Sequence, residues 1–267
     1  MHEPGAPLGI FDSGVGGLTV LRRIMDRLPH EPVVYLGDTA RVPYGTKSAE
    51  TVVRYARGCA RILMDRQIKL LVVACNTASA YAIDALRDEL SVPVLGVIEP
   101  GAQRAVNATR SGRIGVIGTA GTIASGRYQS VIESLAPGTF VACKACPLFV
   151  PLAEEGWSDG EVPRAIAETY LREILDRDVD TLLLGCTHYP VLREAIAAVA
   201  GPGIAIVDSA DATAEVVAEI LSAMDYAAEA DGAPVYSYLV TDAPQSFARF
   251  GDLFLGRTIA RVDWVDF

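Results

Sequence analysis

A chain of 267 residues, 51% of them hydrophobic, is long enough to bury a core and is unlike a disordered chain. Its net charge of −10 argues against nucleic acid or an anionic membrane as a direct partner, while leaving room for an acidic substrate at a local site. The N-terminus lacks the basic and apolar regions of a signal peptide, and no apolar run approaches the roughly 18 residues of a membrane span, so five cysteines imply free thiols in a reducing cytoplasm and no disulfide framework.

Short β-rich runs alternate with helical patterns along the chain. Leu8–Phe11 reads as a strand, a helix begins near Gly16, and Val33–Leu36 is the second strand. A helix over 48–66 places Val52, Ala56, Cys59 and Leu63 near helical spacing, and Cys59 on its apolar face is packing. Lys69–Ala74 is an apolar strand, followed by a helix over 78–90 and the strand Val92–Val97. The pattern restarts after Glu99-Pro100-Gly101, with Arg113–Ile117 as its next element. Then come a helix over 122–135, a strand over 139–143, a helix over 161–177 and the strand Thr181–Gly185. Helices near 190–199 and 211–224, and strands Ile204–Val207, 235–241 and 258–264, complete the reading. Strands apolar throughout and separated by helices predict an α/β fold with mainly parallel sheets covered by helices.

Two segments repeat. Leu-Leu-Val-Val-Ala-Cys-Asn-Thr-Ala (70–78) and Thr-Leu-Leu-Leu-Gly-Cys-Thr-His-Tyr (181–189) each run strand, small residue, cysteine, two polar residues, helix. Upstream, the stretch from Leu8 to Gly14 is echoed by that from Ile114 to Ala120. The repeat predicts two pseudo-symmetric halves whose strand ends converge on one site, because ligands of open α/β sheets lie beyond the carboxyl ends of the strands.

Taken singly, Cys75 and Cys186 are small buried residues. As a pair at equivalent strand ends, each beside the free amides of a following helix, they suit proton transfer to opposite faces of one carbon. A hydrolase needs only one of them, with His188 as base. Asp12-Ser13-Gly14-Val15-Gly16-Gly17 joins a strand to a helix and can offer amides to an anion, but lacks the terminal Gly-Lys-Ser/Thr of a P-loop. Asp12 suits either a substrate ammonium or the orienting of a cysteine. Val42-Pro43-Tyr44-Gly45-Thr46 offers backbone donors and a phenol to the same mouth, or is an ordinary turn. His188 is placed to activate Cys186, whereas His2 and His30 read as surface residues. Cys143-Lys144-Ala145-Cys146 has no second ligand pair for zinc and reads as packing.

Together these residues resemble the glutamate racemases of the aspartate/glutamate racemase superfamily. The resemblance runs from Gly9-Ile10-Phe11-Asp12-Ser13-Gly14 through Tyr35-Leu36-Gly37-Asp38, Pro43-Tyr44-Gly45, Ala74-Cys75-Asn76-Thr77 and Pro147-Leu148-Phe149-Val150-Pro151-Leu152 to Gly185-Cys186-Thr187-His188-Tyr189-Pro190. It implies cofactor-independent interconversion of L- and D-glutamate, supplying D-glutamate for peptidoglycan, with Cys75 and Cys186 as the two acid/base residues. It further implies substrate contacts from Asp12, Ser13, Tyr44, Gly45, Asn76, Thr77, Thr187 and His188, with Asp12 and His188 supporting the adjacent thiols. A helper glutamate falls at either Glu154 or Glu155. The implied domains are 1–97 plus 209–267, and 98–208, with the active site between them. The implied assembly is a homodimer, without a membrane partner; a gyrase interaction rests on family analogy alone. The alternatives are an aspartate racemase of the same superfamily and, of another class, a cysteine-dependent hydrolase using Cys186 and His188.

Overall fold

The computed structural model describes residues 5–228 and 234–266; His2 lies outside them. Among the described residues the ten strands are β1 (Leu8–Asp12), β2 (Val33–Gly37), β3 (Leu70–Val73), β4 (Val94–Gly96), β5 (Arg113–Gly118), β6 (Phe140–Ala145), β7 (Thr181–Gly185), β8 (Ala205–Asp208), β9 (Tyr236–Val240) and β10 (Asp263–Trp264). The helices are α1 (Leu18–Arg27), α2 (Ala49–Met64), α3 (Asn76–Glu89), α4 (Ile98–Ala108), α5 (Ala120–Ala124), α6 (Arg127–Leu135), α7 (Phe149–Glu154), α8 (Glu161–Leu175), α9 (Arg193–Ala200), α10 (Ala210–Ala223) and α11 (Pro244–Ala248). Among the described residues no helix is long and apolar enough to cross a membrane.

The strands form two parallel sheets, ordered β10-β9-β2-β1-β3-β4 and β6-β5-β7-β8. The motif β2-β1-β3-β4 of the first is repeated strand for strand as β6-β5-β7-β8 in the second. β1, β2, β3 and β7 are buried along their whole length, as their uninterrupted apolar sequences require of strands covered on both faces. Gly9 and Gly115 occupy equivalent positions in the two central strands. A Cβ at Gly9 would lie 2.5 Å from Ile68 Cδ1, and one at Gly115 would lie 2.6 Å from Ile174 Cγ2, so each glycine admits a covering side chain.

Several elements depart from the sequence reading. Residues 98–108 form the helix α4, where Glu99-Pro100-Gly101 reads as a break. Pro100 falls in the first turn, whose amides have no intrahelical acceptor, and so its missing N–H removes nothing. The helix expected over 122–135 is two helices, parted at Gly126 with φ +67°. The helix near 190 opens as a 3-10 turn over Tyr189–Leu192 before α9. The strand expected over 258–264 shrinks to β10, because Ile259 packs against Gly251 instead of pairing with the sheet. Cys143 and Cys146 enter different apolar clusters, in keeping with packing roles. His30 is exposed.

Candidate active site

In each sheet the chain reverses its direction of growth beside the central strand, between β1 and β3 in one and between β5 and β7 in the other. Ligands of open α/β sheets sit at such switch points. Asp12 ends β1, Cys75 follows β3, Thr119 follows β5 and Cys186 follows β7. A single cavity of about 20 Å³ lies where the four ends meet. Its lining includes Ser13, Tyr44, Gly45, Cys75, Asn76 and Thr77 from one half. The other half supplies Thr119, Val150, Cys186, Thr187 and His188. The structure therefore brings together the residues singled out in the sequence, Asp12 standing just behind them.

Cys75 caps α3, its sulfur accepting from the Ala78 amide at 3.5 Å and donating to Ser13 Oγ at 3.6 Å. Burial pushes its thiol up to about 12, reinforced by the Asp12 charge and opposed by the Ala78 and Ser13 contacts. Cys186 is surrounded differently. Its sulfur lies 3.8 Å from His188 Nδ1, and His188 Nε2 lies 3.0 Å from Glu154 Oε1. Burial lowers the imidazole's affinity for a proton, but the contacts with Cys186 and Glu154 outweigh it and raise His188 to about 10. Of the two adjacent glutamates, Glu154 at the end of α7 makes this contact, while Glu155 is exposed.

Asp12 is fully buried. Its carboxylate accepts from the Gly14 amide at 2.9 Å and from the Thr187 hydroxyl at 3.3 Å. Burial holds its pKa above the ordinary carboxylate range against the opposing pull of His188 and the Gly14 and Gly17 amides. The glycine-rich loop thus turns two of its amides onto Asp12 itself. Its glycines also serve close approach: a Cβ on Gly16 would lie 2.3 Å from Thr187 Oγ1 and 2.5 Å from His188 Nδ1. Thr19 completes the seam, donating to the Thr187 carbonyl at 3.0 Å.

The Tyr44 phenol does not face the cavity as a free donor. It donates to Asp38 Oδ2 at 2.5 Å and lies 3.8 Å from the Cys59 sulfur. Asp38, at the end of β2, also accepts from Arg41 and from Thr241, and so fixes the turn over Tyr44–Thr46 against the first sheet. Across the cavity the hydroxyls of Thr77, Thr119 and Thr122 form a triangle with edges of 2.9, 3.0 and 3.0 Å. Thr119, Thr122 and Asp38 had no role assigned to them from the sequence, although Asp38 lies in the motif Tyr35-Leu36-Gly37-Asp38. The echo of Ser13 by Thr119 in the repeat was the available signal for one of them.

Two parallel sheets meeting at paired cysteines is the architecture of an amino-acid racemase, and the family model for Asp/Glu/hydantoin racemases matches residues 18–217. A glutamate racemase of Geobacter metallireducens is 55% identical over 97% of this chain and 96% of its own length. Among solved structures, a glutamate racemase isoform from Bacillus anthracis superposes with a TM-score of 0.95 at 39% identity, covering 99% of this chain and 98% of that one. The Francisella tularensis glutamate racemase in complex with D-glutamate gives 0.92 at 35% identity, covering 98% of each chain. The chain belongs to the glutamate racemase family.

Proposed function

We propose that the protein interconverts L- and D-glutamate without a cofactor, by two-base proton transfer at the α-carbon between Cys75 and Cys186, and so supplies D-glutamate for peptidoglycan. The observation that carries this reading is the pair of thiols at homologous strand ends, one from each half, lining one cavity. In one direction a thiolate takes the α-proton, forming an S–H bond as the C–H bond breaks. The opposing thiol then gives its own proton to the other face of the carbanion. The reverse direction exchanges the roles. The glutamate racemase identity of the full-length relatives favours glutamate over aspartate.

The carbanion is the difficult species, since it forms next to a carboxylate. Fixed donors in a site closed to water stabilise the developing charge. Thr77, Thr187 and the backbone at Tyr44-Gly45 border the cavity and can serve that end. Ser13 and Asp12 attend Cys75, while His188 and Glu154 attend Cys186. His188, tied to Glu154, lies against the Cys186 sulfur. A hydrolase built on Cys186 and His188 would leave Cys75 without a task. The reading divides the chain into 1–97 plus 209–267, and 98–208, which is supported by the repeated strand order of the two sheets.

Polarimetry tests it. Purified protein with L-glutamate and no added cofactor should lose optical rotation to zero, and should do so far more slowly with L-aspartate. Cys75→Ala and Cys186→Ala should each lower kcat by at least about a thousandfold, the upper part of the range for losing a general acid or base. Full activity in either variant contradicts the two-thiol mechanism. We also propose a homodimer, supported by the half-exposed Leu148, Trp157 and Val162 along the segment that bears Glu154. Sedimentation should return twice 28.4 kDa, and a monomer at every concentration would remove that part of the reading.

A further inference from the structure

Asn76 is 3% exposed and lines the cavity, yet its Nδ2 has no hydrogen-bond partner among the described residues. An unpartnered buried amide nitrogen is costly, so its presence calls for a compensating ligand. Its other end is occupied. Tyr128 Oη donates to Asn76 Oδ1 at 2.6 Å, reaching from α6 of the second half to a residue of the first.

Tyr128 is 1% exposed and is absent from the cavity lining. Its ring packs where a side chain on Gly185 would stand, a Cβ there falling 2.9 Å from Tyr128 Cε2. Gly185 immediately precedes Cys186. One tyrosine therefore touches the backbone leading to one catalytic cysteine and the side chain that follows the other. Burial, with the nearby Cys186 and Asp208, pushes its phenol above the ordinary tyrosine range, so it remains a protonated donor.

An asparagine amide can present either end to a ligand, since its oxygen and nitrogen are similar in size. Rotating Asn76 by half a turn would take away the acceptor of a buried hydroxyl and turn an oxygen toward the cavity. The tyrosine hydrogen bond opposes that rotation. We infer that Tyr128 is a positioning residue for the reaction, locking the Asn76 amide so that its N–H₂ group faces the cavity as the donor to a substrate carboxylate. Because Tyr128 sits on the far half, the donor is aligned only when the two halves are docked. The inference rests on the reading that Asn76 contacts the substrate.

The test is steady-state kinetics in both directions on Tyr128→Phe, Asn76→Ala and the double variant, with Tm measured alongside. Phenylalanine keeps the ring against Gly185 and removes only the hydroxyl. Tyr128→Phe should raise KM for both enantiomers roughly tenfold, the scale of one hydrogen bond to a charged group, with kcat changed much less. Asn76→Ala should raise KM at least as far, and adding Tyr128→Phe to it should raise KM no further. Asn76→Asp, which keeps the acceptor for Tyr128 but loses the donor and sets a like charge against a carboxylate, should raise KM at least as far as Asn76→Ala even if Tyr128→Phe folds poorly. A raised KM in Asn76→Ala beside an unchanged KM in a folded Tyr128→Phe overturns the positioning role alone. Additive effects in the double variant overturn it as well. Wild-type KM in both Asn76 variants overturns the substrate contact and the inference with it, while leaving the two-thiol mechanism to the cysteine variants.

Discussion

The two sulfurs differ in what surrounds them. Cys75 has a hydroxyl, a helix amide and the buried Asp12 nearby, whereas Cys186 has an imidazole tied to Glu154. His188 gives this difference a measurable consequence. Its folded value of about 10 stands above the ordinary 6.5, so the protonated form is favoured by folding. A raised histidine contributes stability that is fully present below about pH 6.5 and is lost as pH climbs through about 10. The Tm of the wild type should therefore fall across that interval relative to His188→Asn, measured by calorimetry in matched buffers. Parallel profiles for the two proteins would contradict the assignment.

At the scale of elements, the loop ahead of α1 decides how closely the halves meet. Gly16 has no strained backbone angle among the positive-φ residues, so its reason is space: Thr187 and His188 occupy the volume a side chain would need. Gly16→Ala should lower kcat by tenfold or more, on the scale of misplacing a catalytic group, while the sheets retain their cores and Tm drops by only a few degrees. Circular dichroism and kinetics read both, and wild-type kcat would contradict the close approach. The apolar periodicity, the two cysteine segments and the echo between Leu8–Gly14 and Ile114–Ala120 made the strands and most of the cavity legible in advance. What stayed hidden depends on tertiary contacts. Glu154 and Glu155 are chemically identical, and only the turn of α7 selects one. Nothing local to Tyr44 says that its phenol turns to Asp38. Pro100 punctuates the sequence but costs little in a first turn, so α4 went unread.

For the whole molecule, the two sheets repeat one strand order and present the same kind of strand end to a shared centre. The cavity between them is lined by side chains from both halves. The seam where they meet is bridged by hydrogen bonds such as Thr77 with Thr119, Tyr81 to Gly121, Thr187 to Asp12 and Tyr128 to Asn76. The central claim, that different thiols remove and deliver the proton, is tested most directly by following the first turnovers of L-glutamate in deuterated water. Newly formed D-glutamate should carry deuterium at the α-carbon, while the remaining L-glutamate is still protiated. D-glutamate that instead retains the original α-proton would contradict it.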